Sequence, residues 1–311
     1  MEERFDRKKM IEYRTPCDHA LLMEVVEEFA ARYESLEITM LGQSILGRKI
    51  PILRLGRGSK RVLYIGAHHG MEWITCALLL RFVNEYCELL RGGGNVNGLA
   101  VDALAEARSV YVIPMLNPDG VEYALHGIEE DNPLYERVFS MNGQSMDFSR
   151  WQANARGVDL NHNYNAGFAE YKRLEAENGI YGGAPTRFSG ESPESEPEVG
   201  YLCNFLRFYG DFAMALTLHT QGEEIYYTSG GDTAPKSERI GERLASLCGY
   251  SLARPEGMAA YGGFTDWFIR EFNRPSFTIE CGKGENPLPF SDFPMMYLRL
   301  RQMLFAAPFL I

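Results

Sequence analysis

Four apolar runs, "RVLYIGA" (61–67), "SVYVIPM" (109–115), "DFAMALTLH" (211–219) and "PSFTIEC" (275–281), recur along the chain with helix-period segments between them. This alternation is the feature that most constrains the fold. A run without polar alternation needs cover on both faces, and strands separated by helices build a parallel or mixed sheet with helices on either side. A fifth strand is expected at "KIPILRLG" (49–56), and helices at 19–33, 73–90, 196–208, 235–248 and 292–306. The expected fold class is therefore α/β, a mixed, mostly parallel, twisted sheet flanked by helices. One domain over 1–311 is expected, with residues 1–40 as an N-terminal helical extension packed on it. No internal repeat or low-complexity linker divides the chain. "SEPE" (195–198) has the S-x-x-E form of a capping box with Pro197 early in the helix, so its acids read as helix initiation.

Composition narrows the function. The net charge of −11 and pI near 5.2 make nucleic acid and anionic membranes poor partners, since both are drawn to basic patches. The start, "MEERFDRKKMIEYR", has no apolar h-region, so no secretory signal is expected. The longest apolar stretches fall far below the roughly 20 residues of a spanning helix. Six scattered cysteines with no CxxC read as buried reduced thiols, and a cytoplasmic location is expected.

In an open α/β sheet, ligands gather where strands end. Past "RVLYIGA" stand His68, His69 and Glu72, "SVYVIPM" runs into "LNPDG", "DFAMALTL" ends on His219, and "PSFTI" leads into Glu280. Four strands thus deliver ligand-type or turn residues at one end. A catalytic zinc takes three protein ligands and keeps a position for water. A histidine with a carboxylate one turn later can face one ion, and His219 supplies a distant third donor. Spacing leaves open whether His68 or His69 pairs with Glu72.

The motifs "HHGMEWIT", "NPDG", "ARGVDLNHN", "LHTQGEEIYY", "GGFTDWF" and "PSFTIECGKGENPLP" occur in the order seen in carboxypeptidase A-like zinc metallopeptidases, which the chain resembles from about residue 40 to 295. More narrowly, "NARGVDLN", "HTQGE" and "TIECGKGENPLP" resemble the bacterial γ-D-glutamyl-meso-diaminopimelate endopeptidase branch, which trims peptidoglycan peptides. The resemblance implies one Zn²⁺ held by His69, Glu72 and His219, with His68 outside that set. It implies Glu280 as general base, Arg156 as donor to the scissile carbonyl oxygen (Arg150 being the fallback), and Asp159 as acceptor for the far nitrogen of His69.

The chain departs from the family's carboxypeptidases on the substrate side. Their Asn–Arg pair for a terminal carboxylate is here Asn161–His162, and a histidine cannot offer a bidentate fork. Met71 removes a second basic contact. Thr265 takes the pocket-base position, while Asp266 and Trp267 are expected to pack the framework. Tyr261, with Met258 competing, stands near the family's mobile tyrosine, and Lys283 and Arg254 are candidate partners for a substrate carboxylate. A small peptide (muropeptide) is the expected partner. An α-peptide carboxypeptidase and a catalytically silent binding protein are the alternatives, and the sequence leaves oligomeric state open.

Overall fold

The structure, a computed structural model, describes residues 16–228 and 230–311. The charged N-terminal stretch read above for targeting lies outside the described residues. From Cys17 onward the elements are α1 (His19–Arg32), β1 (Glu37–Gln43), β2 (Lys49–Leu55), β3 (Lys60–Ile65), α2 (Ile74–Gly92), β4 (Asn95–Val96), β5 (Leu99–Ala100) and α3 (Val101–Ala107). There follow β6 (Arg108–Ile113), α4 (Pro118–His126), α5 (Tyr135–Met141), α6 (Phe168–Glu177), α7 (Pro197–Tyr209), β7 (Phe212–His219) and β8 (Glu224–Tyr226). The chain ends with α8 (Ser237–Cys248), β9 (Ser251–Ala253), α9 (Phe264–Phe272), β10 (Ser276–Glu280) and α10 (Phe293–Ala306).

Eight strands form one mixed sheet in the order β1-β2-β6-β3-β7-β10-β8-β9. The central four, β6, β3, β7 and β10, are parallel. Strand order reverses beside β3: β6 lies to one side, and β7 and then β10 to the other. That switch opens a crevice past the ends of β3 and β7, where open α/β sheets bind ligands.

Burial on both faces is plain along β3. Val62 and Tyr64 enter one apolar core with α1, α2, α8 and α10, while Leu63 and Ile65 enter a second core with α7 and α9. All five expected strands and all five expected helices form, with ends shifted by one or two residues. The six cysteines are buried and free; the Cys17 and Cys76 sulfurs lie 3.4 Å apart. Among the described residues no helix is long and apolar enough to cross a membrane.

Three local readings change. Residues 37–40, placed above in a helical extension, begin edge strand β1, which pairs antiparallel with β2. "NPDG" reads as a turn but starts α4: Asn117 is the N-cap, its side chain accepting the Gly120 N–H, and Pro118 occupies the first turn. The capping box at "SEPE" does not form. Glu196 is the N-cap of α7 without a side-chain cap bond, and the Ser195 hydroxyl instead donates to the Glu196 carboxylate at 2.9 Å. Pro197 does sit at the helix start, but the acids have other tasks.

One of them, Glu198, is fully buried, and one of its oxygens has no partner among the described residues. Burial, followed by the nearby Asp119 and Glu196 charges, raises its pKa to about 8. A carboxyl raised in the folded state binds a proton that the unfolded chain has released. Its stabilising contribution is full below the unfolded value and is lost as pH rises from about 4.5 to 8. Wild-type protein should therefore lose stability between pH 6 and 8.5, and Glu198→Gln should flatten that loss and melt higher at pH 8.5, as read by thermal unfolding at both pH values.

Candidate metal centre

The close pair of donors is built by a tightly braced turn. After β3 the chain passes through Ala67 (φ 46°) to His69 and the single helical turn Gly70–Glu72. A Cβ added at Gly70 would stand 2.2 Å from the Gly120 carbonyl oxygen, so only glycine lets these two loops touch. The Asn117 amide donates to the carbonyls of His68 (3.0 Å) and Ala153 (3.1 Å). The Thr75 hydroxyl donates to the Glu72 carbonyl at 2.8 Å and accepts the Ala67 N–H at 2.8 Å. With its backbone polar groups paired this way, the turn can be buried and rigid.

His69, Glu72 and His219 are buried together, with one donor atom from each lying within 4.8 Å of the others. His69 Nδ1 is 2.9 Å from one oxygen of Glu72, and His219 Nδ1 is 3.0 Å from the other. The two Nδ1 atoms face each other at 3.3 Å. Two imidazole nitrogens and a carboxylate on one point make a zinc donor set that leaves a position free. The far nitrogen of His69 meets the buried Asp159 carboxylate at 3.1 Å, which fixes the tautomer that leaves Nδ1 to bind. His68 is directed elsewhere: its Nε2 meets the Tyr164 hydroxyl at 3.0 Å and its ring stacks on His219. The choice that spacing left open between the two histidines is thus made by where the strand end points them.

Charges in this cluster lean on one another. Burial would raise Glu72, but the His69 and His219 charges outweigh it and bring the carboxyl down to about 2. Burial would also raise Asp159; His69, His162 and the Arg187 N–H pull it well below the usual carboxylate range. Glu280 goes the other way. It lies beside His219 in the parallel β7–β10 register, and burial, then the Glu72 charge, raises it to about 8.

A protein-family model described as zinc carboxypeptidase matches residues 22–303. The chain belongs to the zinc carboxypeptidase family. It is 33% identical over 280 residues to γ-D-glutamyl-L-diamino acid endopeptidase 1 of Lysinibacillus sphaericus, covering 90% of this chain and 69% of that one. Its fold is similar to thrombin activatable fibrinolysis inhibitor (TM-score 0.72, 19% identity, 95% of this chain and 74% of that chain). It is also similar to murein-tripeptide amidase from Escherichia coli O157 (TM-score 0.53, 20% identity, 87% and 91%). This zinc carboxypeptidase-family chain is a metallopeptidase, a hydrolase of peptide bonds, and membership implies a zinc cofactor.

Around the cluster a cavity of about 290 Å³ is lined by Glu280, Asn161, His162, Thr265 and Thr278, with Gln152 at its mouth. The Asn161 carbonyl oxygen accepts the Phe264 N–H at 3.0 Å, leaving its amide nitrogen without a partner among the described residues. The His162 ring stacks on Tyr171 at 4.1 Å and its Nδ1 meets the Tyr261 carbonyl. Asp266 accepts the Gly263 N–H at the start of α9 and also lines the cavity, whereas Trp267 is buried and does not.

Other expected residues stand apart. The Arg156 guanidinium is held by Glu196 at 3.0 Å and lines neither cavity beside the cluster. The fallback, Arg150, lines a neighbouring cavity but is paired with Glu285 at the surface. Tyr261 packs against Gly167 and Gly230 and lines neither cavity, while Met258 lines the neighbouring cavity and not the metal cleft. Lys283 pairs with Glu223 at 3.2 Å, and Arg254 donates to the Tyr227 hydroxyl at 3.1 Å; neither lines the cleft. The sequence reading missed Gln152. Its backbone is pinned by the Gly70 and Pro185 loops, and it lines both cavities. Its signal was the place one residue after the buried Trp151, which fixes that loop.

Asp159→Asn should lower zinc affinity about 10- to 100-fold without unfolding the chain, because a neutral amide no longer favours the required His69 tautomer. Competition with a chromophoric chelator would measure this, and unchanged affinity would remove Asp159 from the site.

Proposed function

We propose that this chain hydrolyses the amide between γ-D-glutamate and meso-diaminopimelate, or another L-diamino acid, in peptidoglycan-derived peptides. The observation that carries the reading is the hydroxyl-bearing wall of the metal cleft. It is formed by Thr228, Thr265, Thr278 and Tyr226, hydroxyl groups suited to a polar amino-acid side chain and not to an apolar one. The 33% identity to an enzyme named for that diamino-acid linkage supports it. So does His162, stacked where a guanidinium fork would grip an ordinary C-terminal carboxylate.

In this reading His69, Glu72 and His219 hold one zinc ion. Zinc, when bound, supplies a Lewis acid that polarises the scissile carbonyl and acidifies water towards neutrality. Glu280 takes the proton from the attacking water and passes it to the amine that leaves. A carboxyl raised towards neutrality suits a group that must both accept and release a proton. Gln152 replaces Arg156 as donor to the carbonyl oxygen, because its side-chain nitrogen has no partner among the described residues and Arg156 is engaged by Glu196. Asn161 offers its free amide nitrogen to the leaving residue.

Purified, zinc-loaded protein should release diaminopimelate from L-Ala-γ-D-Glu-meso-diaminopimelate. Turnover of α-linked peptides alone would favour an ordinary carboxypeptidase, and no turnover of either with zinc bound would favour a silent binding protein. Glu280→Gln should retain zinc and lose several orders of magnitude in kcat. Because Glu280 must be ionised to act, kcat/KM should fall as pH drops through its pKa, which a nearby dication holds below the metal-free value of about 8. Gln152→Ala should lower kcat about 100-fold with little change in KM, as loss of a donor to developing charge does.

A further inference from the structure

A larger cavity of about 700 Å³ adjoins the metal cleft and shares Met71, Gln152, His162 and Asn286 with it. Two arginines line it in different states. Arg150 is paired with Glu285, whereas the Arg187 guanidinium makes no hydrogen bond or ion pair with any described residue. Glu256 lines the same cavity without contacting it.

Arg187 is nonetheless fixed through its backbone. Its φ is 65°, a left-handed conformation that a residue with a Cβ adopts rarely and only where its surroundings hold it there. Its N–H donates to Asp159 at 3.1 Å, and its carbonyl accepts the Tyr171 hydroxyl at 3.0 Å. One oxygen of Asp159 therefore holds the ring of His69 while the other holds the backbone of Arg187. A single buried carboxylate sets the position of this arginine's backbone relative to the metal cluster.

A substrate whose scissile carbonyl reaches that cluster has two arms to occupy. The narrow, hydroxyl-lined arm fits the leaving amino acid, and the wide arm holding Arg187 fits the acyl side. The proposal rests on the γ-glutamyl reading above. When glutamate is linked through its side chain, its α-carboxylate stays free on the acyl side, a few bonds from the scissile carbon; an α-linked residue carries a charge at that reach only when its own side chain is acidic. We propose that Arg187 binds this free α-carboxylate, so that it selects γ-linked glutamate over α-linked acyl residues without an acidic side chain. A guanidinium fork matches a carboxylate with two parallel hydrogen bonds, and no other cation lining the cavity is free to do so.

The test compares L-Ala-γ-D-Glu-meso-diaminopimelate with the analogue whose glutamate α-carboxylate is an amide. Wild type should favour the free acid in kcat/KM by roughly 10- to 100-fold, the range for a hydrogen bond to a charged group. Arg187→Gln should lower the free acid to the level of the amide while changing the amide by less than about threefold. Arg187→Gly should do the same, and because glycine accepts the left-handed backbone it separates loss of the side chain from backbone strain. Calorimetric binding of the free acid to Glu280→Gln should weaken by a similar factor when Arg187→Gly is added. An undiminished acid preference in both variants, or an equal fall on both substrates, would overturn the role of Arg187 and leave the γ-glutamyl reading standing. Wild type that cleaves neither γ-linked substrate but does cleave α-linked peptides would overturn both.

Discussion

Much of this molecule follows from four parallel strands that end together beside a reversal in strand order. Parallel strands buried on both faces have no polar face of their own, so polar side chains collect at their ends. Here β3 leads to His69 and Glu72, β7 ends on His219 and β10 on Glu280. The in-register pairing of His219 with Glu280 sets a donor and a carboxylate side by side without help from any loop. Loop contacts then brace the strand ends, and the cluster is buried beside the cleft.

That burial would be costly for so many ionisable groups if each stood alone. They are instead arranged in a chain. Glu72 lies between two imidazoles, His69 between Glu72 and Asp159, and Asp159 between His69 and the Arg187 backbone. Opposite charges hold Glu72 and Asp159 ionised, while burial and then the Glu72 charge raise Glu280. The carboxyls of one cluster are thus pushed in opposite directions, a separation set by burial and neighbours and not by residue type.

Legibility differed between the close and distant parts of the site. The candidates His68, His69, Glu72, His219 and Glu280 could be read from the sequence because they stand at or just past the ends of strongly apolar runs, while the choice of His69 over His68 came there only from the family resemblance. Arg156 could not be placed the same way. Whether an arginine points into a cleft or onto Glu196 depends on two loops meeting, and nothing in "ANARG" encodes that meeting. Neither Tyr261 nor Met258 lines the metal cleft, for a similar reason, since the turn before α9 decides where each side chain goes. Gln152 and Arg187 were missed because both sit in irregular segments with no periodicity to read.

By itself the sequence determined the layered α/β fold, the order of its central elements and the residues that gather at one end of the sheet. Apolar periodicity is a local property, and burial of those runs leaves few alternatives. Only the tertiary structure gave a physical reason for preferring one of two adjacent histidines, and only it decided which acid on α7 stays buried and which arginine is left free beside the cleft. Those outcomes depend on contacts between segments far apart in the chain, such as Asn117 with His68 or Arg187 with Asp159, and no local pattern records them.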